Sequence, residues 1–122
     1  MELILHTEGW FDAAHHLENY EGKCKNIHGH TYKVEVWIKG DSSQLDKAGI
    51  LWDFGNLTNK LKDLDHPKEG ELNNLLGINP TAENISMILF YGLNKINPNL
   101  KYKVRVYEQI QPKECWCECG DF

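Results

Sequence analysis

Four stretches of the chain alternate apolar and polar residues with a period of two, and two others repeat apolar residues at helical spacing. In the first, Leu3, Leu5 and Phe11 share one parity, which predicts a strand over residues 2–11. In the second, Tyr32, Val34, Val36 and Ile38 make an apolar face, with Thr31, Lys33, Glu35 and Lys39 opposite and Trp37 as the exception. This strand covers 28–38 and stops at the turn cluster Gly40-Asp41-Ser42-Ser43. A third strand over 101–110 sets Tyr102, Val104 and Val106 against Lys103, Arg105 and Tyr107. After the turn Gln111-Pro112-Lys113, a short last strand places Cys115, Cys117 and Cys119 on one face.

Between the second and third strands lie the helical signals. Phe54, Leu57, Leu61 and Leu64 recur at the spacing of one helix face, with Asp53 as the cap residue. Pro67 cannot continue that helix, so Asp65 and His66 fall at its terminus. Thr81 caps a second helix, and Glu83 puts a carboxylate in its first turn, where the helix dipole favours it. Ile85, Ile88, Leu89, Leu93 and Ile96 form its buried stripe, and Asn97-Pro98-Asn99 ends it. Residues 12–25 read as irregular. The order strand, strand, helix, helix, strand, strand predicts an α+β fold, a four-stranded antiparallel sheet with two helices on one face. The length suits a single domain over 1–122. The uncovered sheet face and edges call for further copies of the chain, since long exposed edges are a liability.

The parity of the second strand carries the chemistry. Side chains two apart on a strand share a face, with Cα atoms roughly 6.5–7 Å from each other, so His28 and His30 can converge on one ion. Both lie on the apolar side, at the strand's start. His15, near the end of the first stretch, offers a third corner. Three neutral imidazoles with an open fourth position are the pattern of a catalytic zinc; a fourth protein ligand makes a structural one. Cys24 is either that fourth ligand or a reactive thiol beside an open metal. His16 competes with His15 on spacing, but has the opposite parity. The apolar parity of the third strand places Glu108 inward, where a carboxylate needs a partner: a lysine, backbone amides, or a ligand with adjacent N–H donors.

Composition narrows the class. Hydrophobic content of 41% and charged content of 25% exclude disordered and fibrous chains. A net charge of −5, with Arg105 as the sole arginine, argues against a nucleic-acid surface. Neither a signal-peptide pattern nor a membrane-length apolar run is present, so a cytoplasmic protein with reduced cysteines is expected.

Phe11-Asp12-Ala13-Ala14-His15, Cys24 with three residues between it and His28-Gly29-His30, Leu64-Asp65-His66, Pro80-Thr81-Ala82-Glu83-Asn84 and Val106-Tyr107-Glu108 follow one another in an order that resembles the 6-pyruvoyl-tetrahydropterin synthase superfamily. The likeness is greatest to its 6-carboxy-5,6,7,8-tetrahydropterin synthase branch, which acts in queuosine and 7-deazaguanine biosynthesis. The resemblance implies the tunnelling fold, whose subunits assemble side by side, commonly as a hexamer of two trimers. It implies zinc on His15, His28 and His30, Cys24 as general base or acid, Asp65 and His66 as its proton relay, and Glu108 as the anchor of the pterin 2-amino and N3–H donors. Thr81 and Glu83 are candidates for further substrate contacts. The implied reaction converts 7,8-dihydroneopterin triphosphate to 6-carboxytetrahydropterin, acetaldehyde and triphosphate. Cys24 lies between Lys23 and Lys25, an electropositive setting suited to a reactive thiol; Lys23, Lys25 and Lys33 are candidates for steering the triphosphate. The loop 67–71 and the cysteine-rich tail depart from the shared pattern.

Two alternatives stand beside this reading. Within the superfamily, the product is 6-pyruvoyl-tetrahydropterin or the 6-hydroxymethyl pterin used for folate. From another class, the chain is a non-catalytic zinc module closed by His28, His30 and some of Cys24, Cys115, Cys117 and Cys119, which predicts unfolding on chelation.

Overall fold

The computed structural model describes residues 1–68 and 70–122. Glu69, in the loop that departs from the family pattern, lies outside the described residues. Strands β1 (Glu2–His15), β2 (His28–Asp41), β3 (Lys101–Gln109) and β4 (Cys115–Gly120) form one antiparallel sheet in the order β1-β2-β3-β4. Helices α1 (Gly55–Leu64), α2 (Leu72–Leu76) and α3 (Ala82–Asn94) lie between β2 and β3 in sequence. The α+β fold and the antiparallel four-stranded sheet follow the pattern of the sequence; α2, a third and short helix, does not. Its one buried residue is Leu72, too little periodicity to read from sequence.

The apolar parity of each strand feeds one core. Phe11, Tyr32, Val34, Val36, Ile38, Tyr102, Val104 and Val106 pack with Leu57, Leu61 and Leu64 of α1, Leu72 of α2, and Ile85, Leu89 and Leu93 of α3. Each such side chain contributes roughly 1.5–3 kcal/mol when fully buried. Thr81 caps α3 by accepting the Asn84 N–H at 3.1 Å. Asp53 acts one residue ahead of its expected place: its carboxylate accepts the Gly55 N–H at 2.8 Å in an Asx turn, and the cap position belongs to Phe54. The α3 stripe stops at Leu93, because the helix ends at Asn94 and leaves Ile96 exposed.

The main correction concerns residues 12–15. The sequence reads them as irregular, yet β1 runs through them to His15. Ala13 and Ala14 have weak strand preference, and pairing to His30 and Gly29 of β2 overrides it. Likewise Cys115 does not share the face of its neighbours. Cys117 and Cys119 pair opposite Val106 and Val104, whereas a bulge between Tyr107 and Gln109 shifts the register before Cys115, which is exposed.

Candidate metal centre

The β1–β2 register sets His15 directly opposite His28 and Ala13 opposite His30. Because all three histidines have the core parity, their rings meet edge to face, with centroids 4.5 Å apart for His15 and His28 and 4.8 Å for each pair with His30. Each offers one nitrogen, and these lie within 4.8 Å of one another.

Hydrogen bonds fix which nitrogen each ring presents. His15 is fully buried, and its Nδ1 lies 2.8 Å from the Pro80 carbonyl oxygen. A carbonyl only accepts, so Nδ1–H donates and Nε2 keeps its lone pair. The Tyr32 hydroxyl lies 2.9 Å from the same Nδ1. By the same logic His28 donates Nδ1–H to the Asn26 carbonyl at 2.7 Å. The two Nε2 atoms are 3.0 Å apart, lone pair facing lone pair. This arrangement needs a cation between them, proton or metal. A proton is disfavoured: burial lowers the His15 pKa, and burial followed by the His15 and His28 charges brings that of His30 down to about 4.

His30 Nε2 is buried without a hydrogen-bond partner among the described residues. Glu108 Oε1 lies 3.5 Å away but is not aligned for a bond. Leaving such a group unpaired costs about 1–3 kcal/mol. A divalent ion held by the three Nε2 atoms relieves both the facing lone pairs and the orphaned nitrogen, and two imidazoles on a tetrahedral zinc stand about 3.3 Å apart. Metal-bound imidazoles characteristically donate their other N–H to a carbonyl or carboxylate, as His15 and His28 do here. The residues therefore fit zinc.

Glu108 stands beside the imidazoles on the inward side of β3. Burial raises its pKa; His28 opposes this and Glu83 adds to it. Thr81 spends its oxygen on the α3 cap, and Glu83 is exposed in the first helical turn. Cys24 sits half-buried in a 3-10 turn, Lys23–Lys25, whose carbonyl at Cys24 accepts the Leu17 N–H at 2.9 Å. Among the described residues no cysteine joins the imidazole group.

Asp65 and His66 gather elsewhere. Asp65 accepts the backbone N–H of Asp12 at 2.8 Å, His66 Nδ1 lies 3.1 Å from Asp65, and the three side chains form their own cluster on the free edge of β1. A cleft of about 580 Å³, lined by Asp12, His30, Thr31 and His66 among others, opens beside this cluster. His16 turns away, bonded to Glu71 at 2.7 Å, so it does not compete with His15. Lys33 is engaged between Glu8 at 3.2 Å and Glu35 at 3.9 Å. Sequence reasoning missed Tyr32, Pro80 and Asn26 as supports of the ligands. A buried tyrosine hydroxyl was the one available signal, because it needs a partner; the carbonyls carry none.

The fold and this centre define an α+β subunit with three convergent imidazoles beside an inward carboxylate. The family described as 6-pyruvoyl tetrahydropterin synthase matches residues 4–120, and the chain belongs to it. A putative 6-carboxy-5,6,7,8-tetrahydropterin synthase of Pyrococcus horikoshii is 54% identical over 57 residues, 46% of this chain and 34% of that relative, so the match spans about a third of that relative's length. The 6-carboxy-5,6,7,8-tetrahydropterin synthase of Synechocystis is 33% identical over 110 residues, 86% of this chain and 85% of the relative. The solved 6-pyruvoyl tetrahydropterin synthase of Plasmodium falciparum superposes with a TM-score of 0.69 at 16% identity, over 99% of this chain and 98% of that one, and shares the tunnelling fold.

Proposed function

We propose that this chain, as a single domain over 1–122, is a zinc-dependent 6-carboxy-5,6,7,8-tetrahydropterin synthase. It converts 7,8-dihydroneopterin triphosphate and water to 6-carboxytetrahydropterin, acetaldehyde and triphosphate in the route to queuosine and other 7-deazaguanines. The observation that carries the reading is the convergence of one ring nitrogen from each of His15, His28 and His30 beside the Glu108 carboxylate, with the buried His30 Nε2 unpartnered among the described residues. The names of the Pyrococcus and Synechocystis relatives support the carboxy-forming branch, as does the gap of three residues between Cys24 and His28.

Bound to His15, His28 and His30, zinc supplies Lewis acidity to the adjacent hydroxyls of the substrate side chain. Glu108 accepts the 2-amino and N3–H donors of the pterin and so sets its orientation. Thr81 and Glu83 contribute to the substrate pocket from the start of α3. Cys24 moves a proton between its sulfur and the substrate side chain. Asp65 orients His66, and His66 exchanges that proton with solvent. The protein acts in the cytoplasm as a homo-oligomer, a hexamer of two trimers, in which the free edges of β1 and β4 are covered.

The test is to incubate the zinc-loaded protein with 7,8-dihydroneopterin triphosphate under reducing, anaerobic conditions and identify the pterin by mass spectrometry, with Cys24→Ala alongside. A 6-carboxy product lost in the variant is expected. A 6-pyruvoyl or 6-hydroxymethyl product moves the chain to another branch, and no turnover at all contradicts the enzyme reading.

A further inference from the structure

Two asparagine side chains hold the backbone around His15 and have no part in the roles given above. β1 ends at His15, and its pairing with β2 ends there too. On the outer edge of the chain beyond it, the Asn73 amide meets both backbone groups of His16: Oδ1 accepts the N–H at 3.0 Å and Nδ2 donates to the carbonyl at 2.9 Å. Two residues further, the Asn79 amide does the same for Glu18, at 2.9 Å and 2.7 Å. Alternate residues of an extended chain point their backbone groups to one side, so the two amides together substitute for a neighbouring strand along residues 16–18.

The two clamps differ in what lies next to them. Asn73 lies in α2, and its side chain reaches the chain at His16. Asn79 is followed by Pro80, whose carbonyl accepts the Nδ1–H of buried His15 at 2.8 Å. The Asn79 carbonyl in turn accepts the Thr81 N–H and Asn84 Nδ2, both at 2.9 Å, which ties the same turn to the start of α3. The Pro80 carbonyl is thus held from two directions, by Glu18 through the Asn79 side chain and by α3 through the Asn79 main chain.

We propose that Asn79 is a positioning residue for the three-imidazole centre: by tying the Pro80 carbonyl to the chain at Glu18, it holds His15 as the Nδ1–H tautomer with Nε2 aimed at His28 and His30. The inference rests on the metal reading above and concerns affinity for the ion. The group that accepts a ligand's other N–H, here the Pro80 carbonyl, typically accounts for 10–100-fold in metal affinity, because it fixes both the ring plane and the free nitrogen, and Asn79 acts through it.

The test compares the parent, Asn79→Ala and Asn73→Ala as full chains. Zinc affinity is read by competition with a chromophoric chelator, and the tautomer of His15 by imidazole ¹⁵N shifts of the metal-free protein. Asn79→Ala is expected to bind zinc about 10–100-fold more weakly and to show mixed His15 tautomers. Asn73→Ala, which loses an equal clamp without the Pro80 link, is expected to lower the melting temperature comparably with a smaller loss of zinc affinity and a single tautomer. If Asn79→Ala does not fold, Asn79→Asp serves, since it keeps the acceptor for the Glu18 N–H and loses the donor. Parental zinc affinity in the folded Asn79 variant, or equal losses in both variants, overturns the inference. A parent that binds no zinc overturns the metal reading instead, and an unchanged His15 tautomer in the Asn79 variant then overturns the positioning role on its own.

Discussion

Asp65 Oδ1 accepts the backbone N–H of Asp12 at 2.8 Å, and the next residue, His66, returns its own N–H to the Asp12 carbonyl at 2.8 Å. The chain leaving α1 is thereby stitched to the free edge of β1, three residues before His15, and His66 adopts a left-handed backbone, φ 44°, to make the turn. The Asp12 N–H, followed by His66, holds the Asp65 carboxyl below the usual carboxylate range. A pKa lower in the folded than in the unfolded state contributes stability above the ordinary carboxyl range, lost as pH falls through the folded value. Asp65→Asn is therefore expected to be less stable than the parent at neutral pH, with the gap closing below about pH 4. Urea midpoints across that window check it; a gap independent of pH contradicts it.

Glu108 is a second place where one substitution separates roles. Its carboxylate is half-buried and close to His30 without bonding it. Glu108→Gln keeps shape and removes the charge that the proposed function sets against two pterin donors. Losing a charge-assisted hydrogen bond of this kind costs about 1.5–3 kcal/mol, so kcat/KM is expected to fall roughly 10–150-fold. Zinc content, measured by atomic emission, is expected to stay at the parental level. Loss of zinc in this variant means that Glu108 belongs to the metal centre instead.

Stability tests fall on Leu72 and Gly120. Leu72 is fully buried and is the single core residue of α2, the helix beside the β1 edge. Leu72→Ala is expected to cost about 2–5 kcal/mol in urea unfolding. At Gly120 an added Cβ falls 2.5 Å from the Tyr102 carbonyl oxygen and 2.7 Å from Lys103 Cα, both backbone. Gly120→Ala is expected to destabilise the protein by about 1–3 kcal/mol and to speed hydrogen exchange along β4.

Much of this architecture is legible in the chain because strand parity does two jobs at once. The alternation that marks Tyr32, Val34, Val36 and Ile38 as core also puts His28 and His30 on the inward side, and the same parity in β3 delivers Glu108 beside them. His15 meets His28 and His30 for a reason the sequence conceals. Its strand assignment comes from pairing with His28, which no local preference of Ala13 or Ala14 announces. Backbone partners were invisible: the Pro80 and Asn26 carbonyls that orient the imidazoles belong to residues with no chemical signature of their own. The amide clamps of Asn73 and Asn79 were hidden likewise, since asparagine in a loop reads as turn chemistry.

The imidazole group sits at one end of the sheet and meets the apolar core chiefly through Tyr32, while the rest of the core packs among the strands and helices without it. Treatment with a strong chelator is therefore expected to leave the far-ultraviolet circular dichroism intact and to abolish turnover. Restoring free zinc at 100 times its dissociation constant is expected to add about 2.7 kcal/mol of stability. Loss of secondary structure on chelation indicates a structural zinc site.

X-ray absorption at the zinc edge of the loaded protein examines the central geometry most directly. Three imidazole nitrogens at about 2.0–2.1 Å with a light oxygen in the remaining position are expected, and no sulfur. A sulfur shell near about 2.3 Å places a cysteine on the ion, closes the site, and contradicts an open catalytic centre built from His15, His28 and His30.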